Sequence, residues 1–232
     1  MSSCLVAQAD RDKDVLSRRY EEGLIAGWKV HVNPKLMEQD APALEKAMGL
    51  LRAQLEEIVR VVPAKAVAEL QKVPLWINPE YPGVGPRAEF HPNAVWLRTN
   101  GRDPGMANGV EFTNVRIFEA ETRRMPNFAL HELAHAYHCL SVRMGFGNLE
   151  IKAAYEKAKA GGKYDRVERR DSEGRSHMDR AYAMTTAQEY FAECTEAYFS
   201  RNDFYPFTRE ELKQQDPEMM DLLERLWGVA AL

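Results

Sequence analysis

The chain combines segments in which apolar and polar residues alternate with segments in which apolar residues recur at helical spacing. Trp28–Val32 alternates and is followed by an Asn-Pro pair, which predicts a short β-strand closed by a turn. Apolar residues then recur three and four positions apart from Leu44 to Val62. We therefore expect an amphipathic helix that begins near Asp40 and ends before Pro63.

Shorter signals of the same two kinds predict the remaining elements. Further strands are expected at 73–77, 94–98 and 110–112, with 115–118 as an extension of the last. Further helices are expected at 64–71 and 148–160 and after Thr185, Thr208 and Asp216. The short strands all precede residue 126 and mostly helices follow it, which favours an α+β fold with a small mixed sheet packed on helices.

One domain is expected over 23–232, behind an N-terminal extension at 1–22. Within that domain, 23–124 would supply the sheet and scaffold helices, and 125–232 the helices that carry the site.

The residues with the clearest chemistry form the pattern H-E-x-x-H at His131–His135. Around them the chain is apolar, Pro126 suits a first helical turn and Gly145 suits a helix stop, so we expect a buried helix. Two histidines four positions apart lie on one face of a helix and can bind one Zn²⁺ ion. The glutamate between them, Glu132, can reach a water in an open coordination position.

A zinc ion held by two histidines needs a third protein ligand. The metzincin pattern fails, because Ser141 stands where its third histidine would be. The candidate carboxylates are Glu150 and Glu156, at the shorter spacing of thermolysin-like enzymes, and Glu189, Glu193 and Glu196 in the helix expected after Thr185. Carboxylates in an apolar helix need a partner or a metal ion. One would bind the ion, and another would accept the free ring N–H of a ligand histidine.

H-E-L-A-H followed by Glu189-Tyr-Phe-Ala-Glu193 resembles the gluzincin metallopeptidases, in particular the family of the anthrax lethal factor catalytic domain. The resemblance extends over 125–199 and implies a zincin-like fold. The site that it implies is Zn²⁺ on His131, His135 and Glu189, with Glu132 as general base, Glu193 as the carboxylate behind a ligand histidine, and Tyr182 as the oxyanion donor.

The implied function is hydrolysis of a peptide or protein substrate by a metal-activated water. Two alternatives stay open: a zinc-binding but inactive domain that recognises peptides or proteins, and a structural protein without metal. An exposed sheet edge at 110–114 is a candidate for holding an extended peptide by strand addition. His138 and His177 are candidate substrate contacts. A structural role is the alternative for His138, which lies about 10 Å along the helix from His131 and cannot share its ion.

Composition and the remaining motifs limit the class of protein. With 45% hydrophobic residues and a net charge of −4, the chain gives no sign of a nucleic-acid partner or an anionic membrane. No apolar run approaches the roughly 20 residues of a transmembrane segment, and the oligomeric state is left open. Ala7-Gln-Ala9 resembles the cleavage site of an export signal, so we expect an extracellular or cell-envelope protein, with the cytoplasm as the alternative.

Two further features near the site each carry two interpretations. Cys139 and Cys194 would form a disulfide in an exported protein, or stay as two buried thiols. The charged segment 161–181 is either a flexible surface loop or a lid that contacts the substrate.

Overall fold

The computed structural model describes residues 20–229. The strands are β1 (Glu21–Ile25), β2 (Trp28–Val32), β3 (Leu75–Ile77), β4 (Ala88–Phe90), β5 (Val110–Phe112), β6 (Val167–Arg170) and β7 (Ser176–Asp179). The helices are α1 (Pro34–Gln39), α2 (Ala41–Val61), α3 (Ala64–Leu70), α4 (Ala94–Thr99), α5 (Phe118–Arg124), α6 (Phe128–Leu140), α7 (Leu149–Gly161), α8 (Ala187–Phe199), α9 (Arg209–Gln215) and α10 (Pro217–Trp227). The α+β organisation predicted from the sequence is therefore confirmed. The export-signal prediction lies outside the described residues.

The main sheet has the strand order β1-β2-β3-β5-β4. Strands β2, β3 and β5 run parallel, while β1 and β4 pair antiparallel at the two edges. A parallel crossover needs a long connection, and α2 and α3 supply it between β2 and β3. The edge next to the H-E-x-x-H helix is β4, which the sequence analysis missed.

One face of the sheet packs on the helices through a continuous core. Leu75 and Phe112 from the sheet, Leu55 from α2 and Leu133 from α6 are all fully buried in it. Burying an apolar side chain of this size stabilises the fold by roughly 1.5–3 kcal/mol. The long helix α2 thus holds α6 against the sheet. The face of α6 that carries the site is turned toward β4. Among the described residues, no helix is both long enough and apolar enough to span a bilayer.

The structure corrects four local predictions. Segment 94–98 forms helix α4 instead of a strand, because the Asn93 side chain accepts the N–H groups of Val95 and Trp96 and so caps a helix. Segment 115–118 is a helical turn rather than a strand extension. Glu21 and Glu22 belong to β1, so the boundary predicted between 22 and 23 falls inside a strand.

The fourth correction concerns the sheet edge at 110–114. Strand β5 lies between β3 and β4 and is therefore interior, so it offers no free edge to a peptide. The edge is β4 instead.

Segment 161–181 is not a structureless loop. After α7 ends, it forms the β6–β7 hairpin, and Asp171 accepts two backbone N–H groups at the hairpin turn. Strand β6 is tied to the segment after α8, because Arg170 donates its N–H to Asp203 and Tyr205 donates its N–H to Glu168. The hairpin is thus fixed beside the site as part of its wall.

Candidate metal centre

Helix α6 carries His131, Glu132 and His135 on its buried side. Asn127 caps the helix by accepting the N–H of Leu130 at 3.0 Å, so Pro126 lies just before the cap and not in the first turn. The helix ends at Leu140, before the stop predicted at Gly145. The two histidines are one turn apart, which directs both rings to the same place.

Helix α8 brings a line of carboxylates to α6. Thr186 caps it by accepting the N–H of Glu189 at 3.1 Å, so the helix starts one residue later than expected from Thr185. Glu189, Glu193 and Glu196 then lie along the side of α8 that faces His131. Glu193 and Glu196 are almost completely buried.

Three side-chain atoms from the two helices meet at one point. The Nε2 atoms of His131 and His135 are 3.1 Å apart, and Glu189 Oε2 lies 3.1 Å from the first and 3.2 Å from the second. A tetrahedral zinc ion with bonds of about 2.0–2.1 Å places its ligand atoms about 3.3 Å apart. The geometry therefore fits one ion bound by the three predicted ligands.

The hydrogen bonds of His131 explain why a cation suits this point. Its Nδ1 is hydrogen-bonded to Glu196 Oε1, which places a proton on Nδ1 and, in the neutral ring, leaves a lone pair on Nε2. That lone pair faces the Glu189 carboxylate at 3.1 Å, an arrangement that repels unless a proton or a metal ion lies between them.

The pKa shifts of His131 and Glu189 show that the site stabilises a positive charge. Burial lowers the pKa of His131, but the carboxylates of Glu196 and Glu189 outweigh it and hold that pKa well above the ordinary value. Burial raises the pKa of Glu189, but hydrogen bonds to His131 and His135 outweigh it and lower that pKa strongly. The cluster thus stabilises a carboxylate anion that faces two imidazoles.

The structure corrects the predicted role of Glu193. Its Oε1 lies 3.8 Å from His131 Nδ1, outside hydrogen-bond distance, and its Oε2 accepts an N–H of Asn202 at 3.0 Å. Glu196, two helical turns from Glu189, takes the place behind the histidine instead. Burial raises the pKa of Glu193 well above its ordinary value, and the nearby Glu196 and Asp203 add to the rise. The sequence held a signal for Glu196, since a residue seven positions on returns to the same helix face.

Glu132 is held by a contact that sequence reasoning missed. Its Oε2 accepts the backbone N–H of Phe90, on the edge strand β4, at 2.9 Å. The carboxylate is half-buried, and burial raises its pKa despite the opposing effect of His131 and His135. The sequence had no signal for this bond, because it depends on which strand lies at the edge of the sheet.

The three candidate ligands and Glu132 open onto a cleft of about 790 Å³. Tyr182 lines it and is 47% exposed, so its ring is open to the cleft. Burial of the hydroxyl and the charge of Glu189 raise the pKa of Tyr182. The other walls come from β4, from Phe146 beyond α6, and from Arg169 of the hairpin.

The predicted substrate contacts His138 and His177 do not line this cleft. His138 is 1% exposed and packs against the rings of Phe146 and Phe191, because it lies on the side of α6 that faces the core. His177 lies on β7, exposed on the outside of the hairpin. Cys139 and Cys194 are both free thiols, which agrees with the second of the two interpretations, although Cys139 is only partly buried.

Comparisons of this chain with protein-family models, with curated proteins and with solved structures found no match.

Proposed function

We propose that this chain is a zinc-dependent metallopeptidase of the gluzincin type, with a zincin-like fold. The observation that carries the proposal is the meeting of His131, His135 and Glu189 at mutual distances of 3.1–3.2 Å, with Glu132 next to them in an open cleft. No lysine or arginine side chain pairs with Glu189 among the described residues; its partners there are the rings of His131 and His135.

Each residue of the site would have a separate role in the hydrolysis. A zinc ion on the three ligands would supply the Lewis acidity that lowers the pKa of water and polarises a carbonyl. Glu132 would accept the water proton on the oxygen that Phe90 does not bond, and would then transfer it to the leaving amine. The Tyr182 hydroxyl, kept protonated by its raised pKa, would donate to the developing oxyanion.

The edge strand β4 offers a place for an extended peptide. Arg87 and His91 bond through their backbone groups to Thr113 and Gly109, the residues on either side of β5, and bonded residues alternate along an antiparallel ladder. The backbone groups of Ala88 and Phe90 therefore point away from β5, toward the cleft, where the Phe90 N–H is donated to Glu132 while the Ala88 groups and the Phe90 carbonyl face the substrate side. A substrate chain could add to this edge as a further strand beside the metal ligands.

The test is zinc analysis of the purified protein together with cleavage of a peptide library. We expect about one equivalent of zinc, cleavage by the wild type, and zinc without cleavage in Glu132→Gln. Glu150→Gln is the matched control, because Glu150 is exposed on α7 and pairs only with Arg225. It should cleave like the wild type.

Three outcomes would contradict the proposal in different ways. Less than about a tenth of an equivalent of zinc would remove every metal-dependent function. Zinc without cleavage by the wild type would favour an inactive recognition domain. Undiminished cleavage by Glu132→Gln would exclude the assigned base.

A further inference from the structure

A second buried cluster of histidine and carboxylates lies behind strand β4, on the face of the sheet opposite to α2 and α6. Glu111 on β5 bonds His91 Nε2 at 2.8 Å, and its other oxygen accepts from Asn78 and Tyr81 at 2.7 Å each. The guanidinium of Arg102 lies 2.5 Å from Glu89 and 3.1 Å from Glu111. Arg102 therefore takes the position that a metal ion would need, and the cluster is an internal ion pair rather than a second metal site.

This cluster fastens β4 from behind. Side chains alternate along a strand, so Glu89 and His91 point to the rear face while Ala88 and Phe90 point toward α6. An edge strand of three residues has few ladder hydrogen bonds to hold it. The ion pair of Glu89 with Arg102 and the bond of His91 to Glu111 replace them on both sides of Phe90.

The front of the same strand holds the base of the proposed reaction. The Phe90 N–H reaches Glu132 at 2.9 Å, so the position of the carboxylate depends on where β4 lies. We propose that Arg102, through Glu89 and β4, is a positioning residue for Glu132. This inference rests on the proposed function only for its effect on catalysis, because the link from Arg102 to Phe90 can be measured without activity.

The consequence for catalysis follows from geometry. A base must lie within hydrogen-bond reach of the proton that it takes, and a misplacement of about 1 Å can reduce the rate by about 100-fold. Loss of the anchor would release β4 and leave one oxygen of Glu132 without its donor. The zinc ligands lie on α6 and α8 and do not touch Arg102 or Glu89, so zinc content should stay unchanged.

The experiment compares Glu89→Ala and Arg102→Met with the wild type. Glu89→Ala is the milder change, because Glu89 is 26% exposed and Arg102 keeps Glu111 as a partner. Glu119→Ala is the matched control, since it removes an exposed ion pair with Lys46 on α2, away from β4. We expect one equivalent of zinc in all variants, and a kcat lowered by about 10- to 100-fold in the two β4-anchor variants only.

Amide hydrogen exchange at Phe90, measured by NMR, gives the readout that needs no activity. We expect Glu89→Ala to speed this exchange at least tenfold in the wild-type background, and much less in a Glu132→Ala background, where the acceptor is already gone. An equal effect in both backgrounds would overturn the inference, as would unchanged exchange in folded Glu89→Ala. A wild type without peptidase activity would defeat the proposed function and leave the exchange result to decide the link.

Discussion

At the scale of single residues, His131 makes contacts on both ring nitrogens. One nitrogen faces Glu189 and His135, and the other is bonded to Glu196. A carboxylate behind a ligand histidine fixes the tautomer and raises the basicity of the metal-binding nitrogen. The identity of that carboxylate is therefore a functional question as well as a structural one.

We predict that Glu196→Gln weakens zinc binding by about 10- to 100-fold, because it removes the charge that holds the proton on His131 Nδ1. Glu193→Gln should have a smaller effect, since Glu193 lies 3.8 Å from that nitrogen. Competition with a chromogenic chelator measures both affinities. The opposite order of effects would restore Glu193 to the role predicted from the resemblance.

His138 gives a prediction about pH. Burial lowers its pKa to about 4 from the ordinary 6.5, and neither ring nitrogen has a hydrogen-bond partner within the part of the chain that the structure describes. Between these two pH values the unfolded chain binds a proton that the folded protein does not, so stability falls as the pH falls from 6.5 toward 4. At pH 5 the loss should be about 2 kcal/mol relative to pH 8.

The measurement is urea unfolding of metal-free wild type and of His138→Leu at pH 8 and pH 5. The free energy of unfolding of the variant should not contain the contribution from His138. The difference in the free energy of unfolding between the two proteins should therefore change by about 2 kcal/mol from pH 8 to pH 5. His177→Leu, on the exposed strand β7, is the control for removing a histidine. Parallel pH profiles for wild type and His138→Leu would contradict the prediction.

At the scale of elements, the site depends on the spacing of α6 and α8, and α10 sets that spacing from behind. Trp227 of α10 is 1% exposed and stacks on Tyr137 of α6 with ring centres 4.0 Å apart. It also stacks on Phe191 of α8 at 6.0 Å and donates its ring N–H to Thr195. Trp227 thus forms a wedge between α6 and α8, and both helices pack against it.

Trp227→Ala should lower the free energy of unfolding by about 3–5 kcal/mol, because it leaves a large cavity between α6 and α8. Zinc affinity should also fall, since the histidines and Glu189 would no longer be held at a common point. Calorimetry and zinc titration measure the two effects. Leu24→Ala, 72% exposed on β1, is the control and should change stability by less than about 0.5 kcal/mol. A folded Trp227→Ala protein with wild-type zinc affinity would show that the helices hold their spacing without the wedge.

At the scale of the whole molecule, zinc should act as a cross-link between distant parts of the chain. The proposed ligands come from α6 and α8, and an ion that binds only the folded arrangement stabilises it by mass action. At free zinc about 1,000 times the Kd, the expected gain is about 4 kcal/mol. A thermal melt with zinc and with a chelator should show this shift in wild type and lose most of it in Glu189→Ala. An equal shift of the melting temperature in both proteins would show that zinc binds at a site other than Glu189.

The sequence by itself determined the elements with strong local signals. Helix α2 follows from apolar residues at helical spacing, α9 from a capping box at Thr208, and α6 from an apolar run with a histidine pair four residues apart. These features depend on residues within one or two helical turns of each other, so they can be predicted from the local sequence alone. The same local logic brought His131, Glu132 and His135 together.

Only the tertiary structure decided what depends on the arrangement of distant elements. It selected Glu196 rather than Glu193 behind His131, because the rotation of α8 against α6 determines which carboxylate reaches the ring. It made β4 the edge strand and set Phe90 against Glu132, and it buried His138 away from the cleft. Each outcome is a contact between residues far apart in sequence, whose packing energy no local pattern contains.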